Sequence, residues 1–136
     1  REERNMEDLH ISLISAAIAV AIIVFLAARC GIIRTREKIM HGDGGNVLLH
    51  RRMRAQANFT EYTPFALVLI LLLDLSGQDG PLLAFSALGF MIGRVLHAFG
   101  MDAEKEGWPR AAGMVLTLPP LIGWAIWAAL LGLRVI

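Results

Sequence analysis

The stretch RRMRAQANFTEYTPF at residues 51–65 runs directly into ALVLILLLDLS at residues 66–76. The second stretch has the apolar character of a membrane span, whereas the first carries charged and amide side chains. A carboxylate below the lipid headgroups costs several kcal/mol unless it is paired or faces a wet cavity. The junction therefore indicates a membrane fold with a polar site inside it.

The composition is that of a membrane protein. The chain of 136 residues is 56% hydrophobic and 18% charged, whereas soluble domains are roughly 45–50% apolar and about 25% charged. The net charge is +1, and no basic arm suggests nucleic acid as a partner. Cys30 is the only cysteine in the sequence, which excludes an internal disulfide and a multi-cysteine zinc site.

Four apolar segments match the roughly 20 residues that a helix needs to cross a bilayer. The predicted spans are residues 9–33, 47–76, 82–101 and 110–133, in a single domain covering residues 6–136. Pro64 is expected to kink the second span, and Pro119-Pro120 to bend the fourth. The fourth span has no polar face, which disfavours a soluble bundle. The fold class predicted is an all-α integral membrane four-helix bundle.

Residues 1–5, REERN, precede Met6, and we expect them to be an addition before the native start. Basic residues set the orientation, because basic flanks stay in the cytoplasm. Ten of the thirteen lie on the side of the first and third loops: Arg29, Arg34, Arg36, Lys38, Arg51, Arg52, Arg54, Arg94, Lys105 and Arg110. Arg29 is expected to extend towards the headgroups at its end of the first span. The prediction is that this side faces the cytoplasm and that both termini face the periplasm or lumen.

Polar residues of the second span form a stripe on one helix face. At ~100° per residue, Arg51, Arg54, Asn58, Glu61 and Tyr62 fall within an arc of about 100°. The stripe climbs ~15 Å from Arg51 to Glu61, which places the carboxylate well below the headgroups. Ionisable groups at this depth indicate a functional site. The alternative, that the charges only join helices or reach the headgroups, stays open for Arg51 and Arg52, which lie near the end of the span.

A second polar cluster is predicted at the same end of the bundle. Arg94 and His97 share a face of the third span at i, i+3, and Arg110 opens the fourth span at the same level. His97 has a simpler interpretation as a helix-packing residue. It lacks partners at metal-ligand spacing, so no metal site is predicted.

The chemistry of these residues suits a small zwitterion. Guanidinium groups bind carboxylates, and a glutamate suits an ammonium group. A peptide satisfies both, and the apolar surroundings suit a lipophilic second molecule. The residue types alone do not specify a reaction. A proton pathway through Glu61 is disfavoured, because Asp74 lies near the opposite end of the span.

The pattern RxxRAQxNxxEYxP at residues 51–64 resembles the second-helix signature of the MAPEG family, the membrane-associated proteins in eicosanoid and glutathione metabolism. RVxH at residues 94–97 is similar to the third-helix motif of its prostaglandin E synthase branch. The resemblance extends over the chain in length and number of spans, and the compact loops are similar to those of bacterial members, which implies a protein of the bacterial inner membrane. Ala57, Met101 and Ala111 stand where some family enzymes carry polar side chains, which argues against a specialised prostaglandin or leukotriene synthase.

The resemblance implies a homotrimer with glutathione sites at subunit interfaces near the cytosol. Arg110 would lie near the sulfur as the catalytic residue. The glutathione-binding residues implied are Arg34 after the first helix, Arg51, Arg54, Asn58, Glu61 and Tyr62 of the second, and Arg94 and His97 of the third.

The resemblance also implies a reaction. A free thiol has a pKa near 8.5, and the thiolate is the nucleophile. A guanidinium beside the sulfur favours the thiolate. The expected function is a membrane-bound glutathione-dependent transferase acting on lipophilic electrophiles, with reduction of lipid hydroperoxides as a second activity. The alternative is a non-catalytic lipid-binding or scaffold trimer, like the branch of the 5-lipoxygenase-activating protein.

Overall fold

Helices make up the fold. The computed structural model describes residues 9–105 and 107–136, and these contain helices, turns and loops without strands. The helices are α1 (His10–Glu37), α2 (Val47–Leu75), α3 (Pro81–Gly100), α4 (Trp108–Val115) and α5 (Leu118–Gly132). The first three, and α4 with α5 as one segment, are long and apolar enough to cross a membrane. The predicted all-α membrane bundle is confirmed, and the trimer stays a prediction. The interpretation of residues 1–5 lies outside the described residues.

The first loop is shaped by left-handed backbone conformations. α1 ends at Lys38, whose φ is 54°, and Gly42, Gly44 and Gly45 also have positive φ. Glycine adopts this region without the steric cost that other residues have. Asn46 then caps α2, because its side-chain oxygen accepts a hydrogen bond from the amide of residue 49 at 2.9 Å. The loop thus reverses the chain in nine residues, from 38 to 46.

The prolines act differently in the two spans that contain them. α2 continues through Pro64 as one helix of 29 residues. In the fourth span, by contrast, the helix stops after Val115 and restarts at Leu118. Pro119 and Pro120 have no N–H to donate to the carbonyls of residues 115 and 116, so two consecutive helical hydrogen bonds are missing. This break lies where the two prolines predict a bend of the fourth span.

The spans differ in how much they bury. In the most apolar part of α3, 44% of the residues are buried inside the bundle, whereas the corresponding share in the fourth span is only 11%. α3 packs against α1, α2 and α4, and α5 packs mainly along α2. Phe90 of α3 lies fully buried at the centre of the core, beside Trp124 of α5. The fourth span therefore offers most of its surface to lipid or to another subunit.

The bundle has two distinct ends. The site end carries the loop at residues 38–46 and, between α3 and α4, residues 101–105 and 107, and the far end carries residues 9–12 and the turn at 76–80. At the far end, the amide and hydroxyl of Ser12 donate to Oδ2 of Asp74 at 2.9 and 2.6 Å. Leu9, at the N-cap position of α1, has no side-chain cap. The carboxylate of Asp74 therefore caps α1 from α2, where the helix dipole also favours a negative charge.

Candidate functional site

Two helices meet at the centre of the candidate site. Nη1 of Arg94 on α3 donates to Oδ1 of Asn58 on α2 at 2.8 Å. The same guanidinium lies 5.6 Å from the ring centroid of Tyr62 and 5.9 Å from that of Phe90. Cations over aromatic faces are attracted by the ring quadrupole. The polar stripe of α2 and the predicted residues of α3 are thus in contact.

Arg94 is only partly satisfied by these contacts. Its side chain is 2% exposed, and its Nε and Nη2 atoms are buried without a hydrogen-bond partner among the described residues. A buried donor that lacks a partner costs free energy, and in native structures such groups usually have a partner. Two guanidinium nitrogens therefore have no partner among the described residues, and a carboxylate or a carbonyl would reach them only after neighbouring side chains move.

Arg54 and Glu61 occupy the outer part of the same α2 face. Both side chains are exposed on the protomer, and within the described ranges neither forms an ion pair or hydrogen bond. Their separation of seven residues is two helical turns. Two opposite charges that do not neutralise each other inside a membrane span need an external partner, either a ligand or a second subunit.

His97 and Arg110 are positioned by close approaches at glycines. A Cβ placed on Gly113 would lie 2.7 Å from the backbone nitrogen and Cβ of His97. One placed on Gly100 would lie 2.5 Å from the backbone nitrogen of Arg110. Small residues at such crossings allow helix backbones to touch. The start of α4 is therefore pressed against the last turn of α3, and Arg110 lies within electrostatic reach of His97.

Arg51 and Arg34 make contacts outside this cluster. Nη1 of Arg51 donates to the backbone carbonyl of Asp102 at 3.1 Å. Nη2 of Arg34 lies 3.3 Å from the sulfur of Met53. In this protomer both guanidinium groups thus stabilise the site end of the bundle, and a role for either in binding would require it to exchange partners.

An ion-pair network at the site end was not predicted from the sequence. Arg29 was expected to extend towards the headgroups, and this is wrong. It is 7% exposed, forms a salt bridge with Asp102, and lies 5.0 Å from the ring centroid of Phe99. Arg52 joins the network, with Nη2 3.5 Å from the same Oδ2 of Asp102 and Nη1 3.1 Å from the carbonyl of residue 29. The sequence does contain one signal for this network, since Arg29 is an isolated cation within an apolar segment. A cation buried in such a segment requires an acidic partner nearby.

The first loop carries a smaller electrostatic contact. The carboxylate of Asp43 accepts from the amide of Gly45 at 3.0 Å and lies 2.7 Å from Nδ1 of His50. The hydrogen bond from Gly45, followed by that from His50, lowers the pKa of Asp43 below its ordinary value of 3.8. Both contacts favour the carboxylate form, and they hold the loop against the first turn of α2.

Apolar grooves lie elsewhere on the protomer. A groove of about 380 Å³ runs between α3 and α5, where Nε1 of Trp124 donates to the hydroxyl of Ser86 at 3.0 Å. Further apolar grooves flank α1. None of these four grooves is lined by a residue of the predicted glutathione site. Among these grooves, therefore, none corresponds to the predicted glutathione site, whose Arg54 and Glu61 lie on the exposed surface of the single chain.

Comparison with known proteins agrees with this architecture. The model of the MAPEG family matches residues 12–130. The chain is 29% identical over 85 residues to "Inner membrane protein YecN" of Escherichia coli strain K12, and equally to the protein of the same name from Escherichia coli O6:H1. Each alignment covers 62% of this chain and 64% of the relative. The four spans and this similarity support a multi-pass protein of the inner membrane.

The matched region begins in the third residue of α1 and ends in the last turn of α5. It therefore includes every helix of the bundle and the entire candidate site. The chain belongs to the MAPEG family, whose members are membrane proteins of eicosanoid and glutathione metabolism.

Proposed function

We propose that this protein is a membrane-bound transferase that activates the thiol of glutathione for attack on lipophilic electrophiles, and that it also reduces lipid hydroperoxides. The observation that carries the proposal is the unsatisfied charge on the α2–α3 face. Two nitrogens of the buried Arg94 lack partners, and Arg54 and Glu61 stand exposed without them in the part of the chain that the structure describes. A zwitterionic peptide supplies groups of the right sign for all three.

Each side chain has a role that follows from its chemistry. The fork of Arg54 suits a peptide carboxylate, and Glu61 suits the ammonium group. Arg94 supplies hydrogen-bond donors, and its orientation is fixed by Asn58. Tyr62 adds a hydroxyl beside them. Together these groups would orient the peptide with its sulfur towards the start of α4.

Arg110 is proposed as the catalytic residue. A thiol with a pKa near 8.5 is mostly protonated at neutral pH, and a guanidinium close to the sulfur favours loss of the proton. The thiolate then forms a carbon–sulfur bond with an electrophile that reaches the site from the bilayer, and the leaving group departs with the electron pair. The position of Arg110 against the end of α3 is compatible with this role.

The proposal includes a homotrimer facing the cytoplasm. Arg54 and Glu61 lie on the outside of the protomer, so a neighbouring subunit would cover them and close the pocket. The fourth span, which is 11% buried, has the free surface for such contacts. Cross-linking and mass measurement in mild detergent test the assembly. A monomer with full affinity for the thiol would contradict it.

Binding is tested by thermal unfolding of purified protein with glutathione and S-hexylglutathione. A ligand at about 100 times its Kd adds about 2.7 kcal/mol of stability. We expect this stabilisation in the wild type and its loss in Arg54→Ala and Glu61→Gln. Arg36→Ala is the matched control, because Arg36 is exposed and, among the residues that the structure describes, forms an ion pair only with the adjacent Glu37 at 3.3 Å. Equal stabilisation of all four proteins would remove the stripe from the binding site.

Catalysis is tested by conjugation of a lipophilic aryl halide. Arg110→Ala is expected to lower kcat by about 100-fold, the size of a lost charge-stabilising contact, with a smaller change in KM. Arg110→Lys keeps the charge and should retain part of kcat. Unchanged turnover in Arg110→Ala would remove this residue from the mechanism. Binding of lipid without any thiol turnover in the wild type would favour the non-catalytic scaffold.

A further inference from the structure

The carboxylate of Asp102 connects three helices at the site end. Asp102 lies two residues beyond the end of α3, at the start of the loop that leads to α4. Its Oδ2 atom pairs with Arg29 of α1 and lies 3.5 Å from Nη2 of Arg52 on α2. Its backbone carbonyl accepts from Arg51 at 3.1 Å. Three guanidinium groups from two helices thus converge on one residue of the loop.

The side chain of Arg29, which pairs with Asp102, is itself held in place by several contacts. Its guanidinium lies 5.5 Å from the ring centroid of Phe25 and 5.0 Å from that of Phe99. Nη1 of Arg29 also reaches the carbonyl of Ala98 at 3.4 Å. A buried cation enclosed by two aromatic rings has few alternative partners, so its carboxylate is held in place.

The end of α3, just before Asp102, lies in close contact with Arg110 at the start of α4. Gly100 lies two residues before Asp102, and its Cα is so close to α4 that an added Cβ would meet Arg110 at 2.5 Å from the nitrogen and 2.8 Å from Cα. A displacement of the end of α3 must therefore move the start of α4. Since a misplacement of about 1 Å can cost about 100-fold in rate, the anchoring of this loop bears directly on catalysis.

We infer that Asp102 is a positioning residue of the candidate site: by pairing with Arg29 and Arg52 it holds the end of α3 so that Arg110 points at the thiol. The inference rests on the proposed function for the identity of the thiol ligand. Asp102 itself touches no substrate in this arrangement. It acts through the backbone of the loop and through α4.

The decisive variant is Asp102→Asn, which keeps the size of the side chain and removes its charge. Asp74→Asn is the matched control, because Asp74 also ties α1 to another helix but does so at the far end. Asp102→Glu is the conservative variant. If the unpaired Arg29 prevents folding of Asp102→Asn, the double variant Arg29→Met/Asp102→Asn removes both charges, a change that buried ion pairs commonly tolerate.

The first measurement does not need the thiol. Hydrogen exchange is followed at the amides of residues 101, 102, 110 and 111, which bond to the carbonyls of residues 97, 99 and 107. We expect about tenfold faster exchange there in Asp102→Asn, and no change in Asp74→Asn. Unchanged exchange in Asp102→Asn and in the double variant would overturn the inference, whatever the enzyme activity.

The second measurement uses thiolate absorbance of bound glutathione as a function of pH. In Asp102→Asn the apparent pKa of the bound thiol should rise by about one unit, and kcat should fall by about tenfold with KM within about twofold. Asp102→Glu should restore most of this loss. Faster exchange with an unchanged thiol pKa would show that Asp102 only holds the loop, and would overturn its positioning role. A wild type that binds no thiol would defeat the proposed function and the positioning of Arg110 with it, whereas the exchange data would still decide whether Asp102 anchors the loop.

Discussion

Each end of the bundle contains an aspartate that links two helices or more, but the partners of the two aspartates differ in charge. At the far end, Asp74 is fully buried and accepts from the amide and hydroxyl of Ser12, which are neutral donors. At the site end, Asp102 remains 26% exposed and pairs with Arg29 and Arg52, which are charged. Asp74 therefore caps the first turn of α1, whereas Asp102 forms ion pairs with two guanidinium groups at the site end.

The site end also carries polar groups that lack a partner in the part of the chain that the structure describes. At the site end, Arg94 has buried nitrogens without partners among the described residues, and Arg54 and Glu61 are exposed on the same face. Arg54 and Glu61 gain no stabilising partner within the described part of the chain. We interpret the site end as a region where binding has been favoured over stability.

The largest predicted effect concerns the α3–α4 crossing at the site end. Gly113→Val would place a branched side chain 2.7 Å from His97 and 2.8 Å from the carbonyl of Gly93. Both are fixed by the helix backbone, so we expect the free energy of unfolding to fall by about 3 kcal/mol or more. Thiol binding should be lost with it. Denaturant unfolding in detergent measures the first effect and ligand-induced thermal shift the second.

Gly123→Val is the control for this prediction. A Cβ on Gly123 has open space around it, with nothing within 4 Å. The substitution should change stability by less than about 1 kcal/mol, from helix propensity alone. Equal losses in the two variants would mean that the close crossing at Gly113 is not what orders the site end.

The second prediction separates stability from binding at Arg94. Arg94→Met removes a buried cation that has no acidic partner among the described residues, and an unpaired buried charge is costly to keep in the folded state. We therefore expect an equal or higher Tm. Affinity for S-hexylglutathione should fall by about 100-fold, since charge-assisted hydrogen bonds are lost. Retained affinity would show that the unsatisfied nitrogens do not face the ligand.

Much of this arrangement could be predicted from the sequence, and the reasons are local. Hydropathy located the spans, because a bilayer requires about 20 apolar residues in each. Helical periodicity put Arg54, Asn58 and Glu61 on one face. The break in the fourth span followed from Pro119 and Pro120, whose missing N–H groups act on their own helix.

The network of Arg29 and Asp102 could not be predicted in the same way. These residues are 73 positions apart, and no periodicity within one helix links them. Arg29 near the end of a span was equally compatible with an extended side chain at the headgroups. Only the packing of α1 against α3 decides between the two, so tertiary contact supplied what the sequence pattern lacked.

A smaller effect is expected at the far end. Asp74→Ala removes the cap of α1 and should lower the free energy of unfolding by about 1–2 kcal/mol. Activity per folded molecule should not change, because the cap lies at the opposite end from Arg110. A double-mutant cycle with Ser12→Ala should give less than the sum of the two single effects, since both delete the same 2.6 Å hydrogen bond. Full additivity would contradict the pairing.

The smallest effect belongs to the first loop at the site end. The pKa of Asp43 is lower in the folded protein than its ordinary value of 3.8, because Gly45 and His50 favour the carboxylate. Its contribution to stability is therefore fully present above 3.8 and is lost as the pH falls through the folded value. Asp43→Asn should lower Tm slightly at neutral pH, and its difference from the wild type should vanish in acid. Thermal unfolding across this range, with Glu37→Gln as the control, measures the difference. A gap that widens on acidification would show that Asp43 is held in its protonated form, and would contradict its pairing as a carboxylate with His50.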